Sequence, residues 1–206
     1  MNSKSMMIIV AGMFAVMLFF LGLTGLFAVV TYNSVVKSDN RVDGSWAQVE
    51  TALQRRIDLI PNLVSTVKGY AAHEKDIFIA VTQARTQAQS VLDKIKETGP
   101  DPETMTSAAM AQGLLRNSFK SLLAVVENYP DLKASTNFLA LQDQLEGTEN
   151  RITVARGRYN ESVRIYNAKI QAFPGNVISS LFGFNEHAYF KASDDAFTVP
   201  KVDFGS

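Results

Sequence analysis

Apolar residues recur along this chain at steps of three and four, the period of helices packed side by side. The longest such run is Phe138, Gln142, Leu145, Glu149, Ile152, Arg156, Tyr159, Val163, Tyr166, Ile170 and Phe173. Steps of four and three alternate through it without a slip. A helix of that span is roughly 55 Å long at 1.5 Å per residue, so its partners must be long as well. A second run reads Val42, Trp46, Val49, Leu53, Arg56, Ile60, Leu63, Val67 and Tyr70. Pro61 falls inside it and predicts a kink near Ile57, because proline removes a backbone donor. A third run, Ile77, Val81, Ala84, Ala88, Val91 and Ile95, ends before the loop signal of Glu97 to Pro102. A fourth, Met105, Ala108, Gln112, Leu115, Phe119, Leu122 and Val126, follows Pro102 at a first helical turn with Asp101 as its cap. It stops before Pro130, which disfavours a helical Tyr129.

Ahead of these runs, Met6 to Val30 contains no charged residue. About 20 apolar residues cross a bilayer, so the stretch predicts a transmembrane helix. A cleaved signal peptide is the competing reading. It would have a shorter apolar region and small residues at a cleavage site, whereas this run ends in Phe27-Ala28-Val29-Val30-Thr31-Tyr32. Tyr32 stands where an interfacial aromatic belongs. Lys4 flanks one side, and Lys37 and Arg41 the other, a balance that leans toward a cytoplasmic large domain.

The pattern as a whole predicts an all-α protein: an N-terminal transmembrane helix, then an antiparallel up-down four-helix bundle with long helices, then an aromatic tail. The divisions are 1–32 for the anchor, 33–173 for the bundle and 174–206 for the tail. Composition adds only exclusions. Lys+Arg and Asp+Glu both number 20 among 206 residues, with no clustered patch of the kind that binds nucleic acid. The absence of cysteine removes disulfides, thiolate metal sites and a thiol nucleophile.

Charges in the apolar runs are the candidate chemistry. In an up-down bundle the first and fourth helices lie side by side and antiparallel, with midpoints near Arg56 and near Ile152 to Ala155. Arg56 should therefore face the Glu149–Arg156 region, forming a buried polar layer of Arg56, Glu149 and Arg156. A structural ion pair that fixes register is one reading of it; a polar site inside the bundle is the other. Gly147, costly inside a helix, predicts a neighbouring backbone packed close.

Other motifs fail. His73-Glu74 is not followed by the second histidine of a zinc-protease helix. The paired Glu-x-x-His motifs of a di-metal bundle are missing, as are glycine-rich phosphate loops. No catalytic residue, metal or cofactor is expected. The tail carries Phe182, Phe184, Tyr189, Phe190, Phe197 and Phe204 within 33 residues. Disordered tails avoid such content. These aromatics either complete the core or form an interface with another subunit or membrane partner.

Several segments together resemble one family: Arg55-Arg56-Ile57-Asp58-Leu59-Ile60-Pro61-Asn62, Glu127-Asn128-Tyr129-Pro130, Leu145-Glu146-Gly147-Thr148-Glu149-Asn150-Arg151-Ile152, Arg158-Tyr159-Asn160 and Phe182-Gly183-Phe184. The chain is similar over nearly its whole length to the LemA family of bacterial membrane-anchored helical proteins. That resemblance implies a membrane anchor, a helical bundle and an envelope-associated role at the bacterial inner membrane, with no enzymatic activity to carry over. The expected function is a non-enzymatic scaffold or adaptor, self-associating, partnered by the lipid bilayer and by a membrane protease or other envelope protein. A membrane-tethered ligand sensor or enzyme using the polar layer is the alternative.

Overall fold

The computed structural model describes residues 3–190. Among these the secondary structure is entirely helical. The elements are α1 (Ser3–Tyr70), α2 (Lys75–Thr98), α3 (Pro102–Val126), the short α4 (Pro130–Lys133), α5 (Thr136–Gln171) and α6 (Gly175–Phe182). Local sequence explains the boundaries. The Asp101 carboxylate accepts from the backbone N–H groups of Glu103 and Thr104, both at 2.8 Å, and Pro102 opens α3 behind it. Gly99, with φ of 83°, closes α2 in the left-handed region that side chains avoid. The α1 helix continues through Pro61, which lies on its exposed side.

The chain forms two compact units. The smaller comprises residues 1–41 and 164–186. Its part of α1 is apolar and outward-facing from 11 to 30, where every described side chain is exposed or half-exposed. Among the described residues nothing covers the apolar surface of this stretch, as a lipid-facing segment requires. Farther along, Val35 and Ser38 of α1, Tyr166, Asn167 and Ile170 of α5, and Gly175 and Ile178 of α6 are buried.

The larger unit comprises residues 42–163 and 187–206, described as far as residue 190. Its core is the set of apolar stripes: Val42, Trp46, Val49, Leu53, Ile60 and Leu63 on α1, with Leu115, Phe119 and Leu122 on α3 and Phe138, Ile152, Tyr159 and Val163 on α5. On α2 the expected Val81, Ala84, Ala88 and Ile95 are buried, but Phe78 and Leu92 are buried in place of the neighbouring Ile77 and Val91, which are only half-buried. α2 and α3 pack on each other as neighbours in sequence. Contacts from α1 run in opposite senses to its partners. Glu50 and Gln54 reach Lys96 and Gln89 of α2, and Gln48 and Arg56 reach Arg158 and Glu149 of α5.

Two expectations are corrected. Gly147 has open space where a Cβ would go, so no backbone packs closely there and glycine is not sterically required. Phe173 is 78% exposed: α5 ends at Gln171, and the buried seam stops at Ile170, because the chain turns at Pro174 into α6 and carries Phe173 outward.

Candidate functional site

Arg56 stands at the middle of the larger unit's apolar stripe on α1 and is only 5% exposed. A guanidinium is costly to bury without partners, and three helices supply them. Its Nη1 donates to Gln112 Oε1 of α3 at 3.1 Å and lies 2.8 Å from Glu149 Oε2 of α5. Its guanidinium also sits 5.5 Å from the Phe119 ring centre, within cation–π range. The second oxygen of Glu149 accepts from Arg116 Nη2 at 3.1 Å. One carboxylate thus bridges two arginines from different helices. Glu149 Oε2 is in ion-pair contact but receives no aligned hydrogen bond.

Burial pulls Arg56 below the usual arginine range; Glu149 opposes that shift and the like charge of Arg116 adds to it. Both Glu149 and Arg116 keep more than a third of their side-chain surface in solvent, so the layer is buried at Arg56 and wet at its outer edge. Among the expected members, Arg156 is coupled to the layer electrostatically. Burial lowers it first, then Arg116, with Glu149 opposing. Its guanidinium lies 4.3 Å from the Phe190 ring centre, one level along α5 from the Glu149 contact.

A cavity of about 240 Å³ adjoins the layer. Arg56, Arg116 and Glu149 form its polar end, and Leu63, Phe119, Leu123, Phe138 and Leu145 supply apolar walls, with Lys120, Gln142 and Glu146 at the margin. The half-burial of Gln142 and Leu145, both in the α5 seam, follows from this gap in the packing. No histidine or hydroxyl nucleophile lines it. Among the described residues no group of three His, Asp or Glu could hold a metal ion. The arrangement can hold charge in register and admit a small apolar group.

The tail aromatics divide. Phe190, expected at an interface if not in the core, is 3% exposed inside its own chain. Its ring stacks beside Trp46 at 6.5 Å, and Trp46 meets Tyr159 edge-on at 5.4 Å. Asn160 reads the Phe190 backbone in both directions, donating to its carbonyl at 3.0 Å and accepting from its N–H at 2.8 Å. The Tyr159 hydroxyl donates to Ala188 O at 2.8 Å. In the smaller unit Phe182 and Phe184 lie against Tyr32, at 4.7 and 5.8 Å between ring centres, while Phe182 remains 60% exposed. Tyr189 is 44% exposed. Phe197 and Phe204 lie outside the described residues.

Sequence reasoning missed Arg116, Tyr159 and Asn160 as polar contributors. Arg116 follows Gln112, a seam position, by four residues and so flanks its helix face, but period alone places it half in solvent. The Asn160 clamp had no comparable signal, because its partner is a backbone segment with no fixed period.

Comparison with known proteins adds identity to this geometry. The family model described as the LemA family matches residues 45–204. A protein named Protein LemA from Metamycoplasma hominis is 25% identical over 193 residues, covering 92% of this chain and 82% of its own. Magnetosome protein MamQ 2 of Paramagnetospirillum magneticum is 26% identical over 189 residues, covering 83% of this chain and 70% of its own. Magnetosome protein MamQ of Magnetospirillum gryphiswaldense is 24% identical with the same coverage.

Proposed function

The chain belongs to the LemA family, and on that premise we propose that it is a non-enzymatic, membrane-anchored helical scaffold or adaptor of the bacterial envelope that associates with itself. The observation that carries this reading is how the core charges are used. Arg56 and Arg116 both bind Glu149, so the most prominent polar groups of the interior are engaged with each other and serve packing. A single helix, α1, supplies both an exposed apolar stretch long enough to cross a bilayer and the core stripe from Val42 to Val67. The opposed contacts of α1 with α2 and α5 support an antiparallel up-down arrangement of four long helices, displayed from an inner-membrane anchor on the cytoplasmic side.

The test is extraction of native protein in mild detergent, followed by mass measurement and crosslinking. Multiples of the chain mass, or a crosslinked membrane protease or other envelope protein, support the scaffold. A monomer with no crosslinked protein refutes it. The apolar-walled cavity favours a second reading, a membrane-tethered ligand sensor, since preformed apolar pockets with a few convergent polar groups are where small ligands bind. Native mass spectrometry separates the two: a small molecule retained by the wild type and lost on Leu145→Trp, which fills the cavity, selects the sensor.

A further inference from the structure

We propose that α6 is a second membrane contact, lying in the interface of the same bilayer that the apolar part of α1 crosses, with Lys37, Arg41 and Lys169 engaging anionic lipid headgroups. The inference rests on the membrane-anchor reading and extends it from a single span to a two-element attachment.

The sequence from Phe173 to Asn185 contains no charged residue. α6 turns one side inward, burying Gly175 and Ile178. The other side holds large apolar groups in solvent: Phe173 at 78% exposure, Leu181 at 72%, Phe182 at 60% and Val177 at 47%. Val177 and Leu181 are four residues apart and share a face. A soluble protein gains nothing by ordering such a face against water. Its position identifies the occupant. Phe182 and Phe184 pack on Tyr32, two residues beyond Val30, where the unbroken apolar run ends. Exposed apolar surface therefore continues from the span onto α6, through an aromatic residue at the level where tyrosines anchor.

The orientation of α6 is set by close packing. A Cβ at Gly175 would fall 2.0 Å from the carbonyl oxygen of Lys169, so only glycine lets the chain fold back at this point. Beside it lies the charge. Lys169 donates to Ser34 O and Ser34 Oγ, at 3.0 and 3.1 Å, and to Ser38 Oγ, which brings it to the α1 face that carries Lys37 and Arg41. Burial holds Lys169 below the ordinary lysine range, and the positive charges of Arg41 and Lys37 push the same way. Lys37 and Arg41 are both exposed. Beyond the span, the described part of this unit has four basic side chains, with Arg164, against the two acidic ones of Asp39 and Glu186. An apolar face flanked by a net excess of basic side chains is what an interfacial helix presents to an anionic leaflet.

The chain has no cysteine, so single-site spin labels report cleanly. Full-length Leu181→Cys, spin-labelled and reconstituted in phosphatidylcholine with about a third phosphatidylglycerol, is compared with Leu21→Cys in the span and Met110→Cys on α3 of the larger unit. Collision with oxygen marks lipid, and collision with a water-soluble nickel chelate marks solvent. The proposal expects position 181 to sit about 5–10 Å below the phosphates, position 21 deeper and position 110 in water. It also expects the 181 label to shift outward in phosphatidylcholine alone, and the K37E/R41E variant to lose that dependence on lipid charge. An aqueous label at 181 with a lipid-immersed label at 21 overturns the proposal and leaves the anchor standing. An aqueous label at 21 overturns the anchor itself. A 181 label protected from both reagents marks contact with a second copy and overturns the lipid assignment. Depth indifferent to lipid charge overturns the role given to the three cations.

Discussion

Glu149→Ala is the most informative single perturbation. The substitution deletes the carboxylate that Arg56 and Arg116 share, leaving two cations on adjacent helices with only Gln112 and the Phe119 ring as remaining partners for the buried one. The magnitude lies between two limits. Exposed pairs contribute about 0–1 kcal/mol, and breaking a fully buried pair costs about 3–5 kcal/mol. Arg56 is at the buried limit, but Glu149 retains 37% of its side-chain exposure, so water screens the anionic end. A loss of about 2–3 kcal/mol follows. At roughly 2–4 °C per kcal/mol for a chain of this size, the midpoint of thermal unfolding should fall by about 5–10 °C.

Circular dichroism melts of the full-length protein in one detergent measure this, and a double-mutant cycle isolates the pair. Replacing both partners, as in Arg56→Met with Glu149→Leu, removes the buried charge with its counterion and should cost less than Glu149→Ala alone. The reasoning is refuted if Glu149→Ala melts within about 1 °C of wild type, or if the double variant is less stable than either single one. Either result would mean that solvent already compensates Arg56 and that the layer does not hold the helices in register.

Four further outcomes follow from other contacts. Gly175→Ala forces a methyl group against Lys169 O; overpacking of this kind costs about 1–3 kcal/mol or more, and amide exchange should accelerate across residues 173–186 while the larger unit's core stays protected. Phe190→Ala removes a ring stacked on Trp46, the chain's single tryptophan, so emission should shift to the red without loss of helicity; Asn160→Ala should accelerate exchange at Phe190 by removing its backbone clamp. Burial, and then the charge of Asp43, raise the Tyr159 hydroxyl above the ordinary tyrosine value of 10.0. The unfolded chain therefore releases this proton first, so stability is level below about pH 10 and falls as pH rises beyond it. Tyr159→Phe should flatten part of that decline, and an unchanged slope would show that Tyr159 does not contribute.

What the sequence disclosed was whatever depends on periodicity. The stripes of α1, α3 and α5 were readable because each residue's burial is dictated by its own helix turn. The contact of Arg56 with Glu149 was readable because two antiparallel helices of known midpoint have few registers. Arg116 was obscured because it stands off the seam and reaches Glu149 with a long side chain, from a position that period alone places half in solvent. The tail was readable only in kind. Whether an aromatic is core or surface there depends on a chain direction set at Gly175 and on a side-chain clamp at Asn160, and neither has a repeat. Gly147 misled for a related reason: a glycine on the open side of a helix has the same letter as one under a crossing backbone. α6 was legible only from its punctuation, Pro174 and Gly175 ahead of a short helix to about Phe182, because its inward side is little more than Gly175 and Ile178, too few positions to show a period.

The charged layer also answers a difficulty that the stripes create. An apolar seam repeating every seven residues matches itself again after a slip of about 10 Å, and apolar contacts alone penalise that slip weakly. In α5 the seam position of Glu149 is followed after seven residues by Arg156 and preceded by Gln142. A slip one way places Arg156 opposite Arg56, cation against cation in a poorly solvated interior. A slip the other way offers Arg56 an uncharged amide and leaves its charge unbalanced. Each alternative forfeits the same roughly 2–3 kcal/mol that the half-wet pair supplies, a sizeable share of the about 5–15 kcal/mol that stabilises an ordinary domain. Arginine is suited to the position because its planar fork can meet Gln112, Glu149 and the Phe119 face together. One ion pair of modest net stability can thus decide which of several nearly equivalent alignments the α1 and α5 helices adopt.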